Sequence, residues 1–253
     1  MEAWLVVSVV LSAMVGFSLG LFGGGGSILA VPILVYVTHI APPAAIGMSL
    51  AIVGATSLTA SYAHYRKGRV KPRVALVFGG SGVFSALFAA RLTHLVPASV
   101  LMLSFAFLMV VVGVAMFRRG RSLNAEASTP KKPQLIAALL AGAAVGAITG
   151  FLGVGGGFLV VPALLAFSGL DMREAVGTSL LVIAINSAAD FIGHLGTVGL
   201  RFDLVAGFTI AAVIGSMLGE RVACRLSVGG LSRGFALFVT MVGVSIASFE
   251  MLG

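Results

Sequence analysis

The sequence predicts an all-α polytopic membrane protein built from two homologous repeats, and three observations carry that prediction. Of 253 residues, 59% are hydrophobic and only 9% are charged, where a soluble domain carries roughly 25% charged residues to face water. The apolar residues fall into runs of about the length that crosses a bilayer core. The second half of the chain also repeats the first at a constant offset of 130 residues. Disordered, collagenous and disulfide-scaffold classes are excluded by the same composition, and Cys224, the one cysteine, has no partner for a disulfide or a CxxC site.

Ten apolar segments follow in order, of which eight to ten are expected to enter the membrane. The first half, residues 1–117, opens with a run over 3–22. Glu2 and the lack of a basic side chain at its start argue against a cleaved leader. The run ends at Gly23–Gly26, because successive glycines destabilise a helix. Segment 27–38 would reach only about 18 Å at 1.5 Å per residue, against a core of about 30 Å. It is therefore a half-helix or re-entrant element, with Pro32 bending or ending it. Segments 44–64, 72–90 and 96–117 are long enough to span. Residues 118–133, RRGRSLNAEASTPKKP, form the one clearly polar linker. The second half, 134–253, repeats the series as 134–152, the short 157–168 with Pro162, 173–195, 202–221 and 231–250. Gly142, Gly146 and Gly150, spaced by four, are expected to let another helix approach closely.

The formal net charge of +8 would point to nucleic acid in a soluble protein. Here the charges sit in loops. Arg66, Lys67, Arg69, Lys71 and Arg73 form one group, and Arg118, Arg119, Arg121, Lys131 and Lys132 another. The positive-inside rule accounts for both groups as cytoplasmic and facing anionic headgroups, so the expected surroundings are a lipid bilayer and not nucleic acid.

The duplication is direct. GFSLGLFGGGGSILAVPIL at Gly16–Leu34 aligns without a gap to GAITGFLGVGGGFLVVPAL at Gly146–Leu164, and 13 of the 35 positions from Gly16 to Leu50 are identical at the offset of 130. Ser57 pairs with Ser187 and His64 with His194. The charges also bear on how the repeats are related. With five segments per repeat the second repeat is inverted, and 14 of the 16 basic residues lie inside, Arg91 and Arg201 excepted. If the first two segments of each repeat merged, the repeats would be parallel and the division would be 11 against 5. Inverted repeats with both termini outside are therefore expected, each with a glycine-rich broken or re-entrant hairpin.

The paired motif, GLFGGGGSILAVP and GFLGVGGGFLVVP, each followed by Gly-x-Ser-Leu at Gly47–Leu50 and Gly177–Leu180, resembles the sulfite exporter TauE/SafE family of membrane permeases. The resemblance spans about Val10 to Phe249. It implies a permease for small anions, chiefly sulfur oxyanions or short organosulfonates, working without ATP hydrolysis. One departure separates the halves: Ala41-Pro42-Pro43-Ala44 stands where the second copy has Asp171-Met172-Arg173-Glu174.

Elementary physics points the same way. Gly23, Gly24, Gly25 and Gly26 carry no side chains to block their amides, and the helix starting at Ser27 adds a partial positive charge. Gly153, Gly155, Gly156 and Gly157 do the same in the second copy. In an inverted repeat the two half-helix N-termini can meet near the midplane as an anion site made of backbone dipoles. Neither glycine run is followed by the Lys-Ser/Thr pair of an ATP-binding loop, and no cofactor is expected.

Ser49 and Ser179, with Thr56 and Asn186, supply hydroxyl and amide groups that either line the site or bond between helices. Asp190 and His194 share one face of the eighth segment near its outer end. They are either a proton relay or a hydrated interfacial pair. His64 and the Glu220-Arg221 pair are expected at the membrane surface. Four scattered histidines make no metal site.

The reading is thus an inner-membrane secondary transporter for a small anion, with basic loops cytoplasmic and a homo-oligomer left open. An importer of another small anion or carboxylate, an intramembrane enzyme and a membrane assembly factor are the alternatives. An enzyme would need a convergent nucleophile and base, for which the sequence offers only Asp190 and His194.

Overall fold

The computed structural model describes residues 3–38, 40–92, 96–122, 134–152, 157–194 and 202–252. Its elements are all helical: α1 Ala3–Phe22, α2 Ser27–Pro32 running on into a π-helical stretch Ile33–Val37, α3 Pro42–Arg66, α4 Pro72–Ala90, α5 Ala98–Ser122, α6 Leu135–Leu152, α7 Gly157–Phe167, α8 Met172–His194, α9 Phe202–Arg225 and α10 Val228–Leu252. Among the described residues seven helices, α3 to α6 and α8 to α10, are long and apolar enough to cross a membrane. α1 and α7 offer shorter apolar stretches, Val7–Phe22 and Gly157–Phe167.

Local chemistry explains several boundaries. Proline opens α3 and α4, where its missing N–H would lack an intrahelical acceptor in any case. Pro32 ends the regular part of α2, whereas Pro162 is accommodated inside α7, so the paired prolines act differently. The sequence reading placed the end of the fifth segment at 117; the helix continues to Ser122, since Arg118–Ser122 include good helix formers and need no apolar partner.

The outer faces are oily. Phe84, Phe107, Ile136, Leu140, Ile210 and Met241 are each more than 60% exposed. Such a surface suits a bilayer, where lipid takes the place of water.

Packing follows the duplication. α1 lies parallel to α9, with Gly16 against Ala212 and Gly20 against Ser216. α6 lies parallel to α4, with Gly146 against Gly82 and Gly150 against Ala86. Moving each residue of one pair by 130 produces the other. A Cβ on Gly16, Gly146 or Gly150 would overlap the facing carbonyl, so these positions are the close-approach glycines expected for Gly142, Gly146 and Gly150.

The other two main pairs join a helix to its own repeat mate. Gly54 of α3 meets Ser187 of α8, and His64 of α3 meets Gly177 of α8; position rises along one helix as it falls along the other, so the mates run antiparallel. Likewise Gly113 of α5 faces Thr240 of α10, while Gly243 of α10 faces Met109 and Ala106. The four swapped or self-paired contacts weave the halves together and leave Gly23–Gly26 and Gly157 at the seam.

Candidate functional site at the junction of the two glycine motifs

α1 stops because Gly23 turns left-handed, at φ +75°, a conformation open to glycine at little steric cost. Its N–H donates to the Leu19 carbonyl at 2.8 Å, closing the helix. The strap Gly23–Gly26 then crosses the interior fully buried and leads into α2. Phe22 fixes its start by stacking against Phe238 and meeting Phe235 edge-on, both on α10.

The strap joins the two halves. Ser179 of α8, fully buried, donates its hydroxyl to the Gly23 carbonyl at 2.6 Å and also approaches the Val176 carbonyl at 2.8 Å. The backbone of Gly24 packs on that of Gly157, the first residue of α7. Ser27 donates to the Gly24 carbonyl at 2.9 Å, and a Cβ on Gly157 would stand 2.6 Å from the Ser27 Oγ. The starts of α2 and α7 therefore meet. A Cβ on Gly25 would lie 2.8 Å from the Phe238 ring, and one on Gly26 would overlap the Val15 carbonyl. The glycines are needed for this packing, and the Gly23 amide, expected from the sequence as an anion donor, is instead taken up by the Leu19 carbonyl because it closes α1.

Gly23, Gly24, Ser27, Gly157 and Ser179 are thus brought together. Gly153, Gly155 and Gly156 lie outside the described residues. Ser49 is buried and donates to the Ile46 carbonyl at 2.8 Å; the strap residue matching the partner of Ser179 would be Gly153, also outside. Thr56 is fully buried with no hydrogen-bond partner for its hydroxyl. On α3 it shares a face with Val53 and Ala60, which pack with Val15, Leu19, Ala30, Leu180 and Ile183 beneath the strap. Asn186 turns instead toward α4, its Oδ1 buried without a partner and about one contact from Gly79, whose Cβ would lie 3.6 Å away. Asp190 is exposed near the end of α8; His194 closes that helix.

Three features escaped the sequence reading. Ser18 of α1 has a buried hydroxyl with no partner and faces Gly25, where a Cβ would lie 3.5 Å from it. Its repeat mate is Ile148, so the duplication gave no signal. A cavity of about 490 Å³ opens along the α3–α8 seam, walled by Leu50, Gly54, Leu58, Leu181, Ile185 and Phe191, with Ser187 as its polar contributor. His64 and Glu220, expected at the surface, are 2% and 6% exposed. They are buried because α3 and α9 pack at that level and Lys67 reaches over to pair with Glu220.

Among the described residues no group of three or more His, Cys, Asp or Glu could hold a metal ion. Among the described residues, the contacts above bring backbone groups, hydroxyls and aromatic rings to the strap.

Comparison with known proteins agrees with this architecture. Residues 8–246 match the family model described as Sulfite exporter TauE/SafE. A probable membrane transporter protein of Xylella fastidiosa (strain 9a5c) is 33% identical over 246 residues, covering 96% of this chain and 94% of the relative. The probable membrane transporter protein YdhB of Bacillus subtilis (strain 168) is 27% identical over 215 residues, covering 82% and 86%. MJ0441 of Methanocaldococcus jannaschii, also a probable membrane transporter protein, is 25% identical over 240 residues, covering 88% of each chain. With its spanning helices, internal duplication and paired glycine motifs matched over nearly its whole length, the chain belongs to the sulfite exporter TauE/SafE family of membrane transporters.

Proposed function

We propose that the protein moves a small anion, sulfite or another sulfur oxyanion or organosulfonate, across the inner membrane by alternating access. The two repeats, residues 1–117 and 134–253 joined by the cytoplasmic linker 118–133, are related by inversion, and because their helices pair across the halves the moving bodies draw helices from both. The observation that carries the reading is the meeting of the α2 and α7 starts through Gly24 and Gly157, held by Ser27 and Ser179. Two helix starts brought together in this way would offer an anion partial positive charge without a fixed cation. An anion held this way can also leave, which a buried lysine would oppose.

The antiparallel run of α3 against α8 and of α5 against α10 supports the inverted relation, since equivalent spanning helices of parallel repeats would point the same way. The charges support it independently. Lys67, Arg69 and Lys71 gather with Arg173, Glu174, Glu220 and Cys224 at one end of the molecule, the end the positive-inside rule assigns to the cytoplasm. Ser18, Ser49, Thr56 and Asn186 supply further polar groups along the path. The apolar seam cavity would suit the organic part of a sulfonate better than a bare oxyanion, because it offers little to replace the hydration of a charge.

The test is flux. Protein reconstituted into vesicles is expected to give saturable movement of sulfite, thiosulfate or sulfoacetate in preference to carboxylates of similar size. Saturable movement of carboxylates alone would replace the substrate class with the importer alternative. Saturable movement of no anion would overturn the transport reading.

A further inference from the structure

A second polar cluster lies at the basic-loop end, where α3 of the first half meets α9 of the second. Glu220 is buried, yet its Oε1 is 2.8 Å from the Lys67 ammonium and 3.8 Å from His64 Nε2. Lys67 is half in solvent. His64 is more deeply buried than Glu220, and neither ring nitrogen has a hydrogen-bond partner. The 3.8 Å separation is too long for a hydrogen bond, though a small side-chain rotation would close it. One helical turn deeper, a cavity of about 10 Å³, roughly the smallest that admits one water, is bordered by Thr59, Ala63, Ser216 and Glu220. The other charged or titratable groups here are Arg69, whose guanidinium donates to the Cys224 sulfur at 3.2 Å, and Cys224 itself. α8 presents the backbone of Gly177 to the His64 Cβ; its nearest carboxylate, Glu174, is paired with Lys71 at 2.8 Å.

The repeat makes this cluster one-sided. At the offset of 130, Glu220 corresponds to Ala90, Lys67 to Thr197, Arg69 to Gly199 and Glu174 to Ala44, while His64 keeps a histidine, His194. The imidazole belongs to both halves and Lys71 has a basic mate in Arg201, but Glu220, Glu174, Lys67 and Arg69 have no charged counterpart at the repeat positions. The Glu220–Lys67 tie between α3 and α9 is thus not repeated at the equivalent positions of the other half.

Burial makes that tie conditional on charge. An ionised Glu220 cannot lose Lys67 without leaving an uncompensated buried charge, which is strongly unfavourable. A protonated Glu220 no longer needs the ammonium; its hydroxyl can turn to His64, and Lys67 can return to water. We propose that Glu220, with His64 as its proton-exchange partner, is a proton-binding site that ties the end of α3 to α9 when ionised and releases it when protonated. The consequence, that proton entry from the basic-loop side is coupled to anion movement, rests on the alternating-access reading; the site itself does not.

Hydrogen exchange on the full chain in detergent micelles tests the site without any substrate. With rates corrected for their intrinsic pH dependence, protection over 64–71 and 216–226 should fall by about tenfold or more between about pH 7 and about pH 3.5, a span that takes in the ordinary titration of carboxylates. Glu220→Gln should show the low value at both pH values, because it mimics the protonated state. Lys67→Gln, a change at a half-exposed side chain, should do the same from the cation side. Wild-type protection that is equal at both pH values, or variants that keep the wild-type pH response, would overturn the proposal. In vesicles, a pH gradient should drive sulfite flux by the wild type, whereas Glu220→Gln should move sulfite at a rate indifferent to the gradient. A variant driven like the wild type would remove the coupling role. A wild type that moves no anion would instead defeat the transport reading while leaving the exchange result standing.

Discussion

Gly23→Ala separates the two demands that the strap makes on its first residue. The backbone there is left-handed, at φ +75°, which costs an L-residue about 1–2 kcal/mol. The added methyl would also stand 2.7 Å from Ser179 Oγ, 2.8 Å from Val176 Cα and 2.9 Å from the Val176 carbonyl oxygen. Two of those atoms are backbone of α8 and cannot swing aside, so the strap or α8 must shift by several tenths of an ångström, at an overpacking cost of about 1–3 kcal/mol. The sum is a loss of about 2–5 kcal/mol. Gly68→Ala is the matched control: φ is +70° there, but nothing lies within 4 Å of the new methyl, leaving the conformational cost of about 1–2 kcal/mol. Equilibrium unfolding in mixed detergent micelles would compare the two. Equal losses would refute the claim that α8 presses on the strap, and with it the close junction on which the candidate site depends.

The other predictions address packing, ligand groups and topology. Gly146→Leu should prevent α6 from closing on Gly82 and lower the melting temperature, whereas Gly80→Leu, with open space around it on α4, should melt near the wild type. Asn186→Leu removes a buried carbonyl oxygen that has no partner; unfolding should show equal or higher stability, because no hydrogen bond is lost, while anion flux falls. A fall in stability with flux retained would mark Asn186 as structural. Cysteines replacing Gly54 and Ser187, in a Cys224→Ser background, should form a disulfide within one chain, since the Cβ positions, 3.2 Å apart, need open by only a few tenths of an ångström to reach the disulfide range of about 3.5–4.5 Å. Failure to cross-link on oxidation would count against the antiparallel pairing of α3 and α8.

Much of the fold was legible because lipid imposes simple rules. Segment length, the short pieces at 27–38 and 157–168 and the break at Gly23–Gly26 each follow from helix rise and glycine energetics. The packing role of Gly142, Gly146 and Gly150 followed from their spacing, and the facing residues Phe78, Gly82 and Ala86 supply the reason. Ser179 was singled out by its repeat position, and its bond to Gly23 now explains what that position does.

Misjudged sites failed for a common reason. Glu220 and His64 lie close to segment ends, and a residue near an end is ordinarily free to reach the surface. Burial there depends on α3 and α9 crossing at that level, and on a lysine 153 positions away from the carboxylate it pairs with. Ser18 was overlooked because its repeat mate is apolar, and only the path of the strap brings Gly25 to it.

By itself the sequence determined what depends on local composition and on self-comparison: a membrane-embedded helical chain, its segments, its duplication and the two glycine motifs. Tertiary structure alone decided which helices pair, that α1 chooses α9 while α3 chooses its own mate, and that a carboxylate near a segment end is buried beside a histidine. The physical reason is that hydrophobicity and helix length act on each segment separately, whereas helix pairing in lipid is selected by the fit of small residues and polar contacts between surfaces remote in the chain.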